Sequence, residues 1–259
     1  FLTVILYRVL MRFSLHPVCT IEATSPPGPF FAKSRLPESG LVTVSTWDTS
    51  ATLFSYLDVL IDEPPKWLNN PITGDSAGSK LEPWWKISDF DDSVGDIKLI
   101  WEQSRMNWVV AFAQRARNGD IGSLKRLNSW LSDWVRSNPP YLGPNWKCGQ
   151  EASIRVMHLC SAALILGQER DSLLGLQELI RLHLRRIAPT IHYAIAQNNN
   201  HGTSEASALF IGGSWLVASG APDGEKYEKL GRRWLENRAI KLIGEDGSFS
   251  QYSLNYHRM

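Results

Sequence analysis

The chain has 259 residues, 27 Lys and Arg against 26 Asp and Glu, and is 43% hydrophobic and 20% charged, a globular composition with enough length to bury a real core. That balance excludes a disordered or collagen-like chain. A net charge of +1 argues against a dedicated nucleic-acid binder, whose affinity comes from many cations neutralising phosphates, so an anionic partner has to be met by a local cluster.

Phe1 to Phe13 is mostly apolar but interrupted by Arg8 and Arg12, and no small-residue cleavage pattern follows it. It is a poor signal peptide and too short to span a bilayer. The missing initiator Met and the abrupt stop at Met259 are what a fragment of a longer chain shows, and a targeting sequence is among the things such a fragment loses. Residues 14–95 hold most of the prolines, including Ser25-Pro-Pro-Gly-Pro29 and Glu63-Pro-Pro65, so residues 1–95 are expected to be irregular with short elements.

From Asp96 the spacing turns helical, first over Ile97, Ile100, Trp101, Trp108 and Phe112, with a stop at Asn118-Gly119. Further helices are expected at about 121–137, 150–166, 171–197, 203–218 and 223–243, each closed by Pro, Gly or Asn. Residues 96–259 therefore read as an all-α array of helical hairpins, which periodicity alone leaves open among solenoid, bundle and closed toroid. The three cysteines, Cys19, Cys148 and Cys160, are odd in number and lack CxxC spacing, which speaks for buried thiols rather than disulfides or a zinc site. Tryptophan, at 11, outnumbers Phe and Tyr, and such indoles suit either a core or a platform for sugar rings. Trp101, Trp108, Trp130 and Trp134 fall on helical apolar faces and read as core, whereas Trp146 does not and reads as the platform.

Three polar clusters carry chemistry. Gln197-Asn-Asn-Asn-His-Gly-Thr-Ser-Glu205 crowds amide, imidazole, hydroxyl and carboxylate groups at a helix start, where N-capping is the ordinary role and anion binding the functional one. Asp246-Gly-Ser-Phe-Ser-Gln-Tyr-Ser-Leu-Asn-Tyr-His-Arg258 sets Tyr256 beside Arg258, and a nearby cation lowers a phenol's pKa. Asn138 to Arg155 is a Pro/Gly loop leading Trp146 into a helix where Glu151 and Arg155 form an i,i+4 pair.

At these three stretches, with Asp96-Ile-Lys-Leu-Ile-Trp-Glu102 and Ser104-Arg105 ahead of them, the chain resembles the heparinase II/III-like polysaccharide lyases, which include heparin, heparan sulfate and alginate oligomer lyases. The resemblance covers residues 85–259. It implies an incomplete (α/α) toroid, normally followed by a β-sandwich domain, and β-elimination at a uronic acid that leaves a C4–C5 double bond. It implies that Asn200 and His201 neutralise the substrate carboxylate, that His201 also serves as a base, and that Tyr256 shuttles a proton. Glu205, one turn after His201, would orient the imidazole, with Trp146, Gln150, Arg155, Tyr252 and Arg258 as further substrate contacts.

The implied partner is an acidic polysaccharide, with no nucleic acid, no membrane span, no metal and no cofactor, in a bacterial periplasm, envelope or secreted setting. Lys147, Arg155 and Arg258 are the fixed cations of the clusters, which favours an unsulfated or lightly sulfated polymer. Family groups beyond Met259 are also implied, so turnover by this fragment alone is expected to be impaired. Two other readings stay open: a catalytically idle carbohydrate-binding or envelope-assembly protein, and an α/α-toroid glycoside hydrolase using two carboxylates.

Overall fold

The computed structural model describes residues 2–38, 50–60, 63–78 and 81–251. Helix α1 (Leu2–Arg12) leads, followed by a two-stranded antiparallel hairpin of β1 (Ser50–Leu53) and β2 (Leu57–Leu60), in which Ser50 pairs with Leu60 and Leu53 with Leu57. A smaller hairpin, β3 (Phe90–Asp91) with β4 (Gly95–Asp96), introduces the helical region. There α2 (Lys98–Ser104), α3 (Asn107–Arg117), α4 (Ile121–Ser137), α5 (Gly149–Ile165), α6 (Leu174–Ile187), α7 (Ile191–Ala196), α8 (Asn200–Ala218) and α9 (Glu225–Leu242) succeed one another with short connections. The described chain is thus mostly helical.

Local chemistry explains the boundaries. The Asp120 side chain accepts from the Ser123 N–H at 3.0 Å and caps α4, whose Leu127, Trp130, Leu131 and Trp134 follow at i, i+3, i+4 and i+7 and are all buried. Two expected helices are each broken. The stretch from Ile97 to Asn118 divides because Met106 takes a left-handed φ of 65°, which ends α2 and starts α3, while burial of its side chain compensates the strain. The stretch 171–197 divides at Pro189, which lacks the N–H a continuous helix needs and sits in a 3₁₀ turn, Ala188–Thr190.

The core is aromatic. Trp67, Trp108, Trp130 and Phe112 pack edge-on or tilted with ring centroids 5.1–6.4 Å apart. Buried residues of the proline-rich segment, Phe30, Phe31 and Trp67 among them, belong to the same apolar cluster as α3 to α6. They are held there by side chains that mimic a strand partner. Asn128 of α4 accepts from the Phe30 and Phe31 N–H groups at 2.8 and 2.9 Å and donates to the Phe31 carbonyl at 2.9 Å. Gln168 exchanges two bonds with the Ala32 backbone at 3.0 and 2.8 Å.

Helices α8 and α9 approach backbone to backbone. A methyl placed on Gly213 would strike the Glu228 backbone, and one on Gly231 would strike the Phe210 backbone, so both positions must be glycine for this packing. At the other end of the chain, Leu2–Thr20 is the stretch among the described residues that is long and apolar enough, by length and composition, to cross a membrane. In the fold α1 lies against α7, with Met11 buried and Leu2, Leu6 and Phe13 exposed.

Candidate functional site

The sequence clusters around residues 150, 200 and 250 meet at one residue, Asn200. Asn199 caps α8, its side chain accepting from the His201 N–H at 3.1 Å, so Asn200 begins the helix with its own backbone N–H unused by helical bonding. That N–H donates to Gln251 Oε1 at 2.9 Å, and the Asn200 amide donates to Gln150 Oε1 at 3.0 Å. Residues 50 positions upstream and 51 downstream are thereby brought to the start of α8.

Asn200, His201, Glu205 and Gln150 line a cavity of about 820 Å³, within the range of small-ligand sites. Its wall is completed by Tyr7 of α1, Tyr193 of α7, Arg105, Glu151, Lys147 and Arg186, with Phe90 at the β3–β4 hairpin. Lining residues thus span the chain from Tyr7 to Glu205. A smaller cavity of about 410 Å³ beneath the β1–β2 hairpin is lined by Leu53, Val59, three prolines and a few polar side chains, with no comparable cluster of acids and bases.

The charges of the large cavity are arranged unequally. Glu151 is neutralised by a bidentate pair with Arg105, at 2.9 and 3.0 Å, and Arg105 also holds Glu102 at 2.6 Å. Lys147 meets Asp89 at 3.1 Å. Arg186 is different, because its donors go to the carbonyls of Trp146 and Lys147, at 2.8 and 2.6 Å, and to Thr190 Oγ1 at 3.2 Å, with no carboxylate among these partners. Its guanidinium also lies over the Trp84 ring, 3.3 Å from the centroid, and no carboxylate among these partners cancels its charge at the cavity. Burial pushes its pKa down, the nearby Tyr7 and Glu205 opposing that shift.

Glu205 is 4% exposed, and among the described residues its Oε2 has no hydrogen-bond partner. Burial raises its pKa from 4.5 to about 8, against the pull of Arg186, so the group is mostly a neutral carboxylic acid at pH 7. Its carboxyl rests on the first turn of α5: a methyl on Gly149 would lie 2.6 Å from Glu205 Cδ. His201 is half-buried with its pKa lowered by burial and partly restored by Glu151, which keeps the imidazole neutral and able to accept a proton. Among the described residues its ring makes no hydrogen bond, and Glu205 does not orient it as expected.

Two expected substrate contacts lie elsewhere. Trp146 is 1% exposed, sits in the 3₁₀ turn Pro144–Trp146, and donates to the Asn138 carbonyl at 3.2 Å. Its ring packs against Trp134, Tyr141 and His183, so it is a core residue and not a sugar platform. Arg155 is also fully buried, its guanidinium 5.2 and 5.6 Å from the ring centroids of Trp134 and Trp146. It donates to His183 Nε2 at 2.9 Å and the Asn145 carbonyl at 2.7 Å, and Glu151 pairs with Arg105 in its place. A charge one turn along a helix found a partner one helix away. Tyr252, Tyr256 and Arg258 lie outside the described residues. Cys19 and Cys148 are free and half-buried, and Cys160 is free and buried.

Tyr7, Arg105 and Arg186 were not legible as site residues. Arg186 stands in the last turn of an amphipathic helix, where a cation complements the helix dipole without any ligand. Comparison with protein-family models, with curated proteins and with solved structures finds no match to this chain. The chemistry has to be argued from the cavity itself.

Proposed function

We propose that the cavity binds an acidic sugar and that the protein is a polysaccharide lyase acting on a uronic-acid-containing glycan by β-elimination. The observation that carries this reading is the convergence at Asn200 of three polar clusters, beside a neutral His201 and a protonated Glu205. β-Elimination needs the C5 proton made acidic, which requires neutralising the adjacent carboxylate, and then a base and an acid. Asn200 offers an amide, Glu205 a carboxylic O–H, and Arg186 an unmatched positive field for that carboxylate. The imidazole of His201 serves as the proton acceptor at C5, and the phenol of Tyr256 is assigned the proton donated to the leaving 4-oxygen.

The same reading makes the helical array an incomplete (α/α) toroid of the heparinase II/III-like kind, with α3/α4, α5/α6 and α8/α9 as hairpins. It places the protein in a bacterial periplasm, envelope or secreted setting with a lightly sulfated or unsulfated polymer as substrate. The cavity's positive charges come from Lys98, Arg105, Lys147 and Arg186, since Arg155 is withdrawn into the core.

A hydrolase reading has one observation in its favour: Glu205 and Glu151 share the cavity, one with a raised pKa as a general acid requires. Both Glu151 oxygens are occupied by Arg105, which makes it a poor base or nucleophile. The deciding experiment incubates the protein with alginate, hyaluronan and heparan sulfate and follows ultraviolet absorbance of the unsaturated uronate. Product absorbance that is lost in His201→Ala supports the lyase; new reducing ends without absorbance identify a hydrolase, and binding without either product identifies a catalytically idle carbohydrate-binding protein.

A further inference from the structure

Helix α1 reaches the cavity through one residue. Val4, Tyr7 and Met11 make its inward stripe, and Tyr7 stacks on Tyr193 of α7 with ring centroids 4.0 Å apart and planes 19° from parallel. His16 meets the same Tyr7 ring edge-on at 5.5 Å, so the phenol is gripped on a face and an edge. Its hydroxyl has no hydrogen-bond partner among the described residues. Yet it lines the same cavity as Glu205 and Arg186 and lies close enough for both to act on its proton affinity. A fixed phenol and a buried carboxyl whose Oε2 is also unpartnered among the described residues thus line one volume. The buried Glu205 oxygen is expensive to leave unpaired, and both groups gain by meeting a polar ligand.

Resting on the reading of this cavity as a uronate site, we propose that α1 is part of the binding machinery, and that the Tyr7 hydroxyl donates a hydrogen bond to an oxygen of the sugar seated against Glu205. Tyr7 acts as a specificity residue and not as a base. Burial pushes its pKa to about 12, so the phenol keeps its proton throughout the working range and has an O–H to donate to a sugar oxygen. A uronate carboxylate or a ring hydroxyl meets that need; an apolar ligand does not.

The experiment compares wild type with Tyr7→Phe, which keeps the stack on Tyr193 and removes only the oxygen. Calorimetric titration with tetramannuronate and with a hyaluronan hexasaccharide gives Kd, and the absorbance assay on the polymers gives KM and kcat. For the sugar that binds, Tyr7→Phe is expected to raise Kd and KM about tenfold, the loss of one hydrogen bond to a charged group. The change should fall on KM and leave the melting temperature in place. If wild type binds either oligomer and Tyr7→Phe binds it equally well, the Tyr7 proposal fails alone. If wild type binds neither, the uronate reading of the site fails and takes the Tyr7 proposal with it. A fall in melting temperature with Kd unchanged assigns Tyr7 to packing and also overturns the proposal.

Discussion

Replacing Glu205 with Gln tests the electrostatics of the cavity directly. In the folded protein its pKa is raised from 4.5 to about 8, so the native state holds a proton that the unfolded chain releases. Stability contributed by that proton is fully present below the unfolded pKa near 4.5, declines as pH rises, and is gone above about 8. At 1.36 kcal/mol per unit, the shift corresponds to a loss of at most about 5 kcal/mol between those limits. Gln has the same shape and no proton to lose, so its variant lacks this decline. Buried histidines work in the opposite direction: His183 has a pKa lowered to about 3 by burial and by Arg155, and it destabilises the fold as pH falls through the unfolded imidazole value. The informative quantity is therefore the difference between wild type and Glu205→Gln in urea unfolding at pH 5, 7 and 9. Relative to the variant, wild type should lose several kcal/mol from pH 5 to pH 9. Parallel profiles would refute the reasoning, and so would a wild type that gains stability over that range. Gly149→Ala offers a second perturbation, since its methyl pushes the carboxyl off α5, and it should shrink the same difference without changing any charge.

Trp146→Ala should lower stability by about 3–5 kcal/mol in chemical unfolding, because it empties a sealed site between Trp134, Tyr141 and His183; a surface platform would lose less than 1 kcal/mol. Asn128→Ala removes the acceptor for two backbone N–H groups and a donor to the Phe31 carbonyl, and should cost about 2–4 kcal/mol. Limited proteolysis should then cut near Phe30 well before the helical region opens.

Much of the helical order was legible. The start of α4 after Gly119 agrees with the expected helix 121–137, whereas α8, expected from 203, begins at Asn200 because Asn199 caps it a turn earlier. The break at Met106 had no such mark, since a left-handed methionine is held by burial from distant elements. Trp146 misled for a related reason. Its 3₁₀ turn has no helical period, which in sequence reads as exposure, whereas Asn138, Trp134 and His183 close over it from three other places in the chain. Within the site, Asn200, His201, Gln150 and Glu205 announced themselves as an unusual polar density. Tyr7 and Arg186 did not, because each sits on an ordinary amphipathic stripe and comes to the cavity wall only when α1, α6 and α8 are brought together.

The glycine contact between α8 and α9 bears on how such a site can change over time. Where two helices meet through side chains, a substitution shifts their separation by a fraction of an ångström and a neighbour absorbs it. Gly213 and Gly231 leave nothing to trim, and any side chain there lifts α9 bodily away from α8. Arg238 of α9 holds the Ile195 carbonyl at 3.1 Å and the Asn198 side chain at 2.9 Å, just ahead of Asn199 and His201. A drift of α9 would therefore be felt at the start of α8. The seam should behave as an all-or-nothing constraint, leaving sequence variation to accumulate on the outer face of α9 while the polar residues of the cavity keep their places.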